Sequence, residues 1–314
     1  MGKIAFVFPG QGAQYVGMGK EIADNFSQAK AVYEEADARL GYSLSDLCFN
    51  GSEEKLKLTI HTQPALLTTS IACFQLIKEE GIKPQFVAGH SLGEYSALVA
   101  AGALKFSDAV WLVEQRGKFM QEAVPPGEGT MAAILGLDID KVLDLCKISR
   151  DMGVIEPANF NCPGQIVIAG HTPAVEKAVS LAKDFGAKRA ILLPVSGPFH
   201  SSLLEQTGIR LQEAIDTIEI KDTTIPLIAN ISAKAVTTSE EIKEGLIKQV
   251  SSSVKWEQSV REMINKGVTT FVEIGAGKVL TGLIKKIDKN VKTFNIEDSL
   301  SLKETLQGLK AGDD

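Results

Sequence analysis

The chain has 314 residues, 44% hydrophobic and 23% charged, enough for one large core or two smaller ones. Its formal net charge of −6 argues against a nucleic-acid-binding protein as a whole, while leaving room for a local basic patch. The four cysteines (Cys48, Cys73, Cys146 and Cys162) form no C-x-x-C pair, which points away from a zinc site or disulfide framework and toward thiols in a reducing compartment.

The N-terminus enters a strand at once, over residues 4–8, with no apolar run ending in a small-residue cleavage site. No signal peptide is expected. The longest apolar stretches, such as residues 97–104, are too short to span a bilayer, so a cytoplasmic protein without a membrane partner is expected. The strand exits through Pro9-Gly10-Gln11-Gly12-Ala13-Gln14, whose glycines let backbone approach a ligand closely. Neither phosphate-loop pattern, G-x-x-x-x-G-K-[ST] or G-x-G-x-x-G, is present, and a plain turn is the rival reading. Residues 63–77 have helical spacing, with Pro64 in the first turn. Phe86-Val87-Ala88 is the next strand, followed by helical stretches at 92–101 and 107–123. Short apolar strands between amphipathic helices indicate a parallel sheet covered on both faces.

Gly89-His90-Ser91-Leu92-Gly93 joins that strand to its helix. A G-x-S-x-G in this setting is the signature of a nucleophile elbow, a turn so tight that both flanks must be Gly. The rival is a Gly-rich turn with Ser as an ordinary helix cap.

Val124-Pro125-Pro126-Gly127-Glu128-Gly129 marks a domain edge. Beyond it, strands at 131–137, 154–160, 165–169 and 189–193 interleave with helices at 139–149 and 173–185, and a turn is expected at Asn161-Cys162-Pro163-Gly164. The order β-α-β-β-α-β is that of a ferredoxin-like unit. After Pro194 the first pattern resumes: helices at 203–215, 240–250, 259–265, 279–287 and 300–309, and strands at 225–229, 270–274 and 293–296. The fold class expected is α/β: a large α/β-hydrolase-like domain with a parallel sheet (residues 1–126 and 196–314) and an inserted ferredoxin-like (βαββαβ) small domain (127–195).

A serine nucleophile needs a base. His90 adjoins Ser91, and adjacent side chains diverge in such a turn; His61 and His171 stand at helix starts, where cap or surface roles suit them. His200 lies in a Gly/Pro-bearing loop at the domain junction, where clefts form, and is either the base or a structural histidine. No Asp or Glu between Ser91 and His200 presents itself as the group that would orient the imidazole. The oxyanion hole takes one donor from the Leu92 amide and needs a second from another loop at the same sheet edge, such as the one after the first strand.

Phe8-Pro9-Gly10-Gln11-Gly12-Ala13-Gln14, Gly89-His90-Ser91-Leu92-Gly93-Glu94-Tyr95, Gln115-Arg116-Gly117, Ser196-Gly197-Pro198-Phe199-His200-Ser201 and Val272-Glu273-Ile274-Gly275 together resemble the malonyl-CoA:acyl carrier protein transacylase family of type II fatty acid synthesis. The resemblance runs in order over nearly the whole chain. It implies Ser91 as acylated nucleophile, His200 as base, the backbone amides of Gln11 and Leu92 as oxyanion hole, and the Gln249 carbonyl as the group orienting His200. It implies Arg116 as receptor of the malonyl carboxylate, against the plainer reading of an exposed helix arginine paired with Glu114 or Asp108. Gln63, Asn161 and Phe199 would line the substrate site. Malonyl-CoA and acyl carrier protein would be the partners of a monomer that needs no cofactor and no metal. Lys285, Lys286 and Lys289, or Lys188 and Arg189, are candidates for a positive rim, or simply solvated charges. The alternatives are a serine thioesterase or esterase, an acyltransferase taking another acyl-CoA such as methylmalonyl-CoA, and a non-enzymatic binding protein on the same scaffold.

Overall fold

The computed structural model describes residues 2–195 and 197–310, so the expected boundary at Ser196 lies outside the described residues. The strands are β1 (Lys3–Phe8), β2 (Phe86–Gly89), β3 (Gly129–Leu135), β4 (Ile155–Cys162), β5 (Gln165–His171), β6 (Arg189–Leu192), β7 (Leu227–Ile228), β8 (Ala235–Val236), β9 (Val268–Ile274) and β10 (Lys292–Ile296). Six form one sheet in the order β10-β9-β1-β2-β7-β8, parallel except for β8. The other four form an antiparallel sheet, β4-β5-β3-β6.

The helices up to β3 are α1 (Lys20–Asn25), α2 (Ser27–Leu40), α3 (Leu44–Asn50), α4 (Glu53–Lys57), α5 (Thr59–Glu79), α6 (Gly93–Ala100) and α7 (Phe106–Glu122). Beyond it run α8 (Ile139–Ser149), α9 (Thr172–Leu181), α10 (Glu205–Ile215), α11 (Ser239–Gln249), α12 (Trp256–Asn265), α13 (Val279–Ile287) and α14 (Ser299–Lys310). Strands β1 and β2 are buried throughout their central residues, as apolar runs between covering helices must be. On one side of the large sheet Phe6 and Phe8 pack edge-on against Phe74 of α5. On the other, Ala5, Val7 and Phe271 pack with residues of α12 and α13. The small sheet has its own core with α8 and α9, built on Ile134, Ile155, Ile168, Leu145 and Val175.

Several boundaries differ from expectation. Helix α5 starts at Thr59, four residues before Gln63, so Pro64 lies inside it rather than in its first turn. The helix gives up one bond, to the Ile60 carbonyl, because Pro64 has no N–H. Strand β4 continues through Asn161 and Cys162, which leaves only Pro163 and Gly164 as the turn. Strand β7 pairs over just two residues, and α9 stops at Leu181.

The register of the parallel pair places the site. Phe8 stands opposite Gly89, and the His90 N–H donates to the Phe8 carbonyl at 3.1 Å. The turn after β1 and the turn after β2 therefore leave the same carboxyl edge side by side, where open α/β sheets hold ligands.

Candidate active site

Ser91 sits at the apex of the β2–α6 turn with φ 51°, in the left-handed region. The flanking glycines make that turn possible: a Cβ on Gly89 would lie 1.9 Å from the Gly93 carbonyl carbon, and one on Gly93 would lie 2.1 Å from the Phe8 oxygen. Among the described residues, three non-glycines have positive φ: Ser91, His200 (61°) and Ala233. Two of them face each other, since Ser91 Oγ and His200 Nε2 are 2.7 Å apart. Backbone strain of about 1–3 kcal/mol per residue persists only where the surroundings enforce it.

The other imidazole nitrogen, Nδ1, is 2.8 Å from the Gln249 carbonyl oxygen. A carbonyl can only accept, so Nδ1 carries the proton and Nε2 presents its lone pair to the serine hydroxyl. Gln249 is the last residue of α11, where helix carbonyls lack intrahelical partners and carry the negative end of the dipole. This is the site of the group that no carboxylate in the sequence supplied. The His200 N–H also donates to the Val250 carbonyl, at 3.1 Å. Burial, and then the Arg116 charge, holds His200 far below ordinary histidine, so it is neutral at pH 7.

Arg116 lies on α7 and is 1% exposed. Its neighbour Gly117 lets α7 pack against the start of α5, because a Cβ there would lie 2.7 Å from the Thr59 oxygen. That approach brings Arg116 Nη1 to Gln63 Oε1 at 2.7 Å. Nη2 donates to Ser91 Oγ and to Gln249 Oε1, both at 3.0 Å. Among the described residues no carboxylate oxygen pairs with this guanidinium, which disposes of the exposed arginine partnered by Glu114 or Asp108. Its Nε–H is buried without a partner among the described residues.

A cavity of about 100 Å³ is bordered by Gln11, His90, Ser91, Leu92, Arg116, Met120, Met131, Asn159, Leu193, Val195, Phe199 and His200. The main-chain N–H groups of Gln11 and Leu92 are spent on no hydrogen bond among the described residues. His90 is turned away from His200, with Nε2 2.8 Å from Asn161 Oδ1 and the ring against Trp256. Asn161 thus stands one layer behind the cavity that Asn159 borders. His171 stands at the N-cap position of α9 without a side-chain capping bond and accepts the Val154 N–H at Nδ1, while His61 is on the first turn of α5. Gln63 meets Arg116 rather than the cavity itself. Unforeseen are Glu94 and Asn230, both buried behind Ser91: Asn230 Oδ1 accepts the Ser91 N–H at 2.8 Å, and burial raises the Glu94 carboxyl to about 7.

Residues 5–303 match the acyl transferase domain family. The chain is 53% identical to a malonyl CoA-acyl carrier protein transacylase of Bacillus subtilis, covering 100% of this chain and 99% of that one. It is 47% identical to the protein of the same name from Staphylococcus aureus, over 95% and 96% of the two chains. The crystal structure of a malonyl CoA-acyl carrier protein transacylase from Clostridium perfringens superposes with a TM-score of 0.96 at 44% identity, covering 99% and 98%. A malonyl-transacylase solved in complex with its type II PKS acyl-carrier protein superposes with a TM-score of 0.95 at 42% identity, covering 98% and 99%.

Proposed function

The chain belongs to the acyl transferase family, and we propose that it carries a malonyl group from malonyl-CoA to the phosphopantetheine thiol of acyl carrier protein, supplying units for fatty acid synthesis. The observation that carries the choice of acyl group is Arg116. A buried guanidinium in direct contact with no carboxylate is costly, since Glu94 reaches it only through the Gln249 side chain, and it is worth keeping where a ligand brings an anion into contact. Malonyl ends in a carboxylate that a planar fork matches in two bonds.

In the first half-reaction Ser91 Oγ attacks the thioester carbonyl while His200 Nε2 takes the hydroxyl proton. The negative charge that develops on the carbonyl oxygen falls to the Gln11 and Leu92 N–H groups. The carbon–sulfur bond breaks, and the departing CoA sulfur receives the proton from His200. A malonyl ester is left on Ser91. In the second half-reaction the carrier thiol gives its proton to His200, its sulfur attacks the ester carbonyl, and the carbon–oxygen bond breaks with the proton returning to Ser91. Burial keeps the resting imidazole neutral at pH 7, so its Nε2 lone pair is free to take the proton in each half-reaction. No step calls for a cofactor.

Among the described residues no helix is long and apolar enough to cross a membrane. Four free, buried thiols fit a reducing cytoplasm, in which a monomer would meet CoA and carrier protein.

Intact-mass analysis after mixing with malonyl-CoA tests the reading. A malonyl adduct on Ser91 that persists until holo carrier protein is added is expected. Rapid release of malonate with no acceptor present would instead establish a hydrolase.

A further inference from the structure

Glu94 is 2% exposed and does not border the cavity. Its Oε2 accepts two hydrogen bonds, from the Asn230 main-chain N–H at 3.0 Å and from Gln249 Nε2 at 2.9 Å. Both donors reach onward to the nucleophile turn. Asn230 Oδ1 accepts the Ser91 N–H, and its Nδ2 donates to the Gly89 carbonyl at 2.7 Å. Gln249 Nε2 also donates to the Ser91 carbonyl at 3.0 Å. The Ser91 carbonyl also accepts the Glu94 main-chain N–H at 3.1 Å. The main chain of Ser91 is therefore held at its N–H and at its C=O, and the two side chains that hold it converge on a single carboxylate oxygen.

A trans peptide is planar, with its C=O and N–H pointing in opposite directions. A Ser91 carbonyl held toward Gln249 sends the Leu92 N–H the other way, toward the cavity that Leu92 borders. We propose that Glu94, acting through Asn230 and the Gln249 side chain, is a positioning residue that sets the Ser91–Leu92 peptide plane and so aims the Leu92 oxyanion donor. This rests on Ser91 being the acylated serine. Because Gln249 Oε1 also accepts from Arg116, the amide that holds the turn steadies the carboxylate receptor as well.

Single-turnover acylation of Ser91 by malonyl-CoA and by acetyl-CoA separates these roles. Glu94→Leu keeps the bulk and removes the acceptor; it is expected to slow acylation by both substrates about 100-fold, the scale set by a misaimed oxyanion donor. The KM for malonyl-CoA should change by less than about threefold, as for an interaction made in the transition state. Glu94→Gln, which retains an accepting oxygen, should recover most of the rate. A residue that only supports the fold would lower the melting temperature and leave acylation of the folded protein unchanged. Acylation by Glu94→Leu at the wild-type rate, or a loss confined to malonyl-CoA, overturns the proposal. Should that variant not fold, Asn230→Ala carries the same expectation and the same refutation. Absence of a malonyl adduct on the wild-type protein would instead remove the reading of Ser91.

Discussion

The two walls of the cavity are built on different physics. One comes from the carboxyl edge of the large sheet and from α7: Gln11, Ser91, Leu92 and Arg116, joined by His200. It is polar, buried, and interlocked by hydrogen bonds that reach Gln249, Gln63 and Asn230. The other comes from β3, the segment after β6 and the loop before His200: Met131, Leu193, Val195 and Phe199. Apart from Asn159 of β4, it offers the cavity no polar side chain among the described residues. The polar wall holds the charges in place before substrate arrives. The apolar wall lowers the dielectric in which those charges act, which strengthens every one of them, and offers a water molecule few polar partners. Transfer to a thiol in preference to water needs both.

The sharpest way to break the comparison is to remove a group from the polar wall. Ser91→Ala and His200→Ala should each abolish the malonyl adduct, lowering kcat/KM on the order of 10⁴-fold or more, and the double variant should be little worse than either single one, because such groups act as a unit. Steady-state transfer to holo carrier protein measures both. Additive losses would mean that the pair does not work together.

Arg116 is the next largest. Arg116→Lys keeps the charge and loses the fork that spans Gln63, Gln249 and Ser91. Its expected cost is about 1.5–3 kcal/mol in kcat/KM for malonyl-CoA, the scale of losing a hydrogen bond to a charged group. Acetyl-CoA has no carboxylate to lose and should gain relative to malonyl-CoA.

The pH profile sharpens the same wall. Neutral His200 is the working base, and its pKa lies well below the ordinary 6.5 through burial first and the Arg116 charge second. The acid limb of kcat/KM should therefore fall below pH 6.5, and Arg116→Gln should move it upward by removing the second cause. The linked stability has the corresponding sign. Below pH 6.5 the unfolded chain binds a proton that the folded imidazole refuses, so the contribution is complete above that value and is lost as the pH falls toward the folded pKa. An acid limb unchanged in Arg116→Gln would break the coupling.

The polar wall was legible in proportion to how local it is. Ser91 and Leu92 follow from five residues, and the turn bearing Gln11 from the strand that precedes it. No carboxylate in the sequence presents itself as the third member; only the family resemblance points to the Gln249 carbonyl, because a backbone carbonyl is common to every residue and has no code of its own. Glu94 lies on a helix where its burial has no sequence mark, and Asn230 stands 139 residues from the amide it accepts. Asn161 is expected among the substrate-site residues, yet it is Asn159 that borders the cavity: β4 changes register between Pro157 and Asn159 and again between Phe160 and Cys162, and such irregularities re-aim side chains. The four helices between Lys20 and Lys57 went unread: α1 and α4 have only six and five residues, lengths at which tertiary packing rather than propensity makes a helix.

The smallest expected effect tests the apolar wall. Phe199 is 5% exposed, borders the cavity and precedes the base. Phe199→Ala enlarges the space without touching a polar group, so the chemistry of the other wall should survive it. A methyl branch in an apolar pocket is worth about 1–3 kcal/mol of discrimination, and the variant should shift the ratio of kcat/KM for methylmalonyl-CoA over malonyl-CoA upward by no more than that. It should also raise hydrolysis of the malonyl-serine ester, seen as faster decay of the adduct without carrier protein, because water gains the volume that the ring gave up. A changed substrate ratio with an unchanged adduct lifetime would confine this wall to selecting the acyl group. A shortened lifetime would make it the barrier that keeps an acyltransferase from acting as a hydrolase.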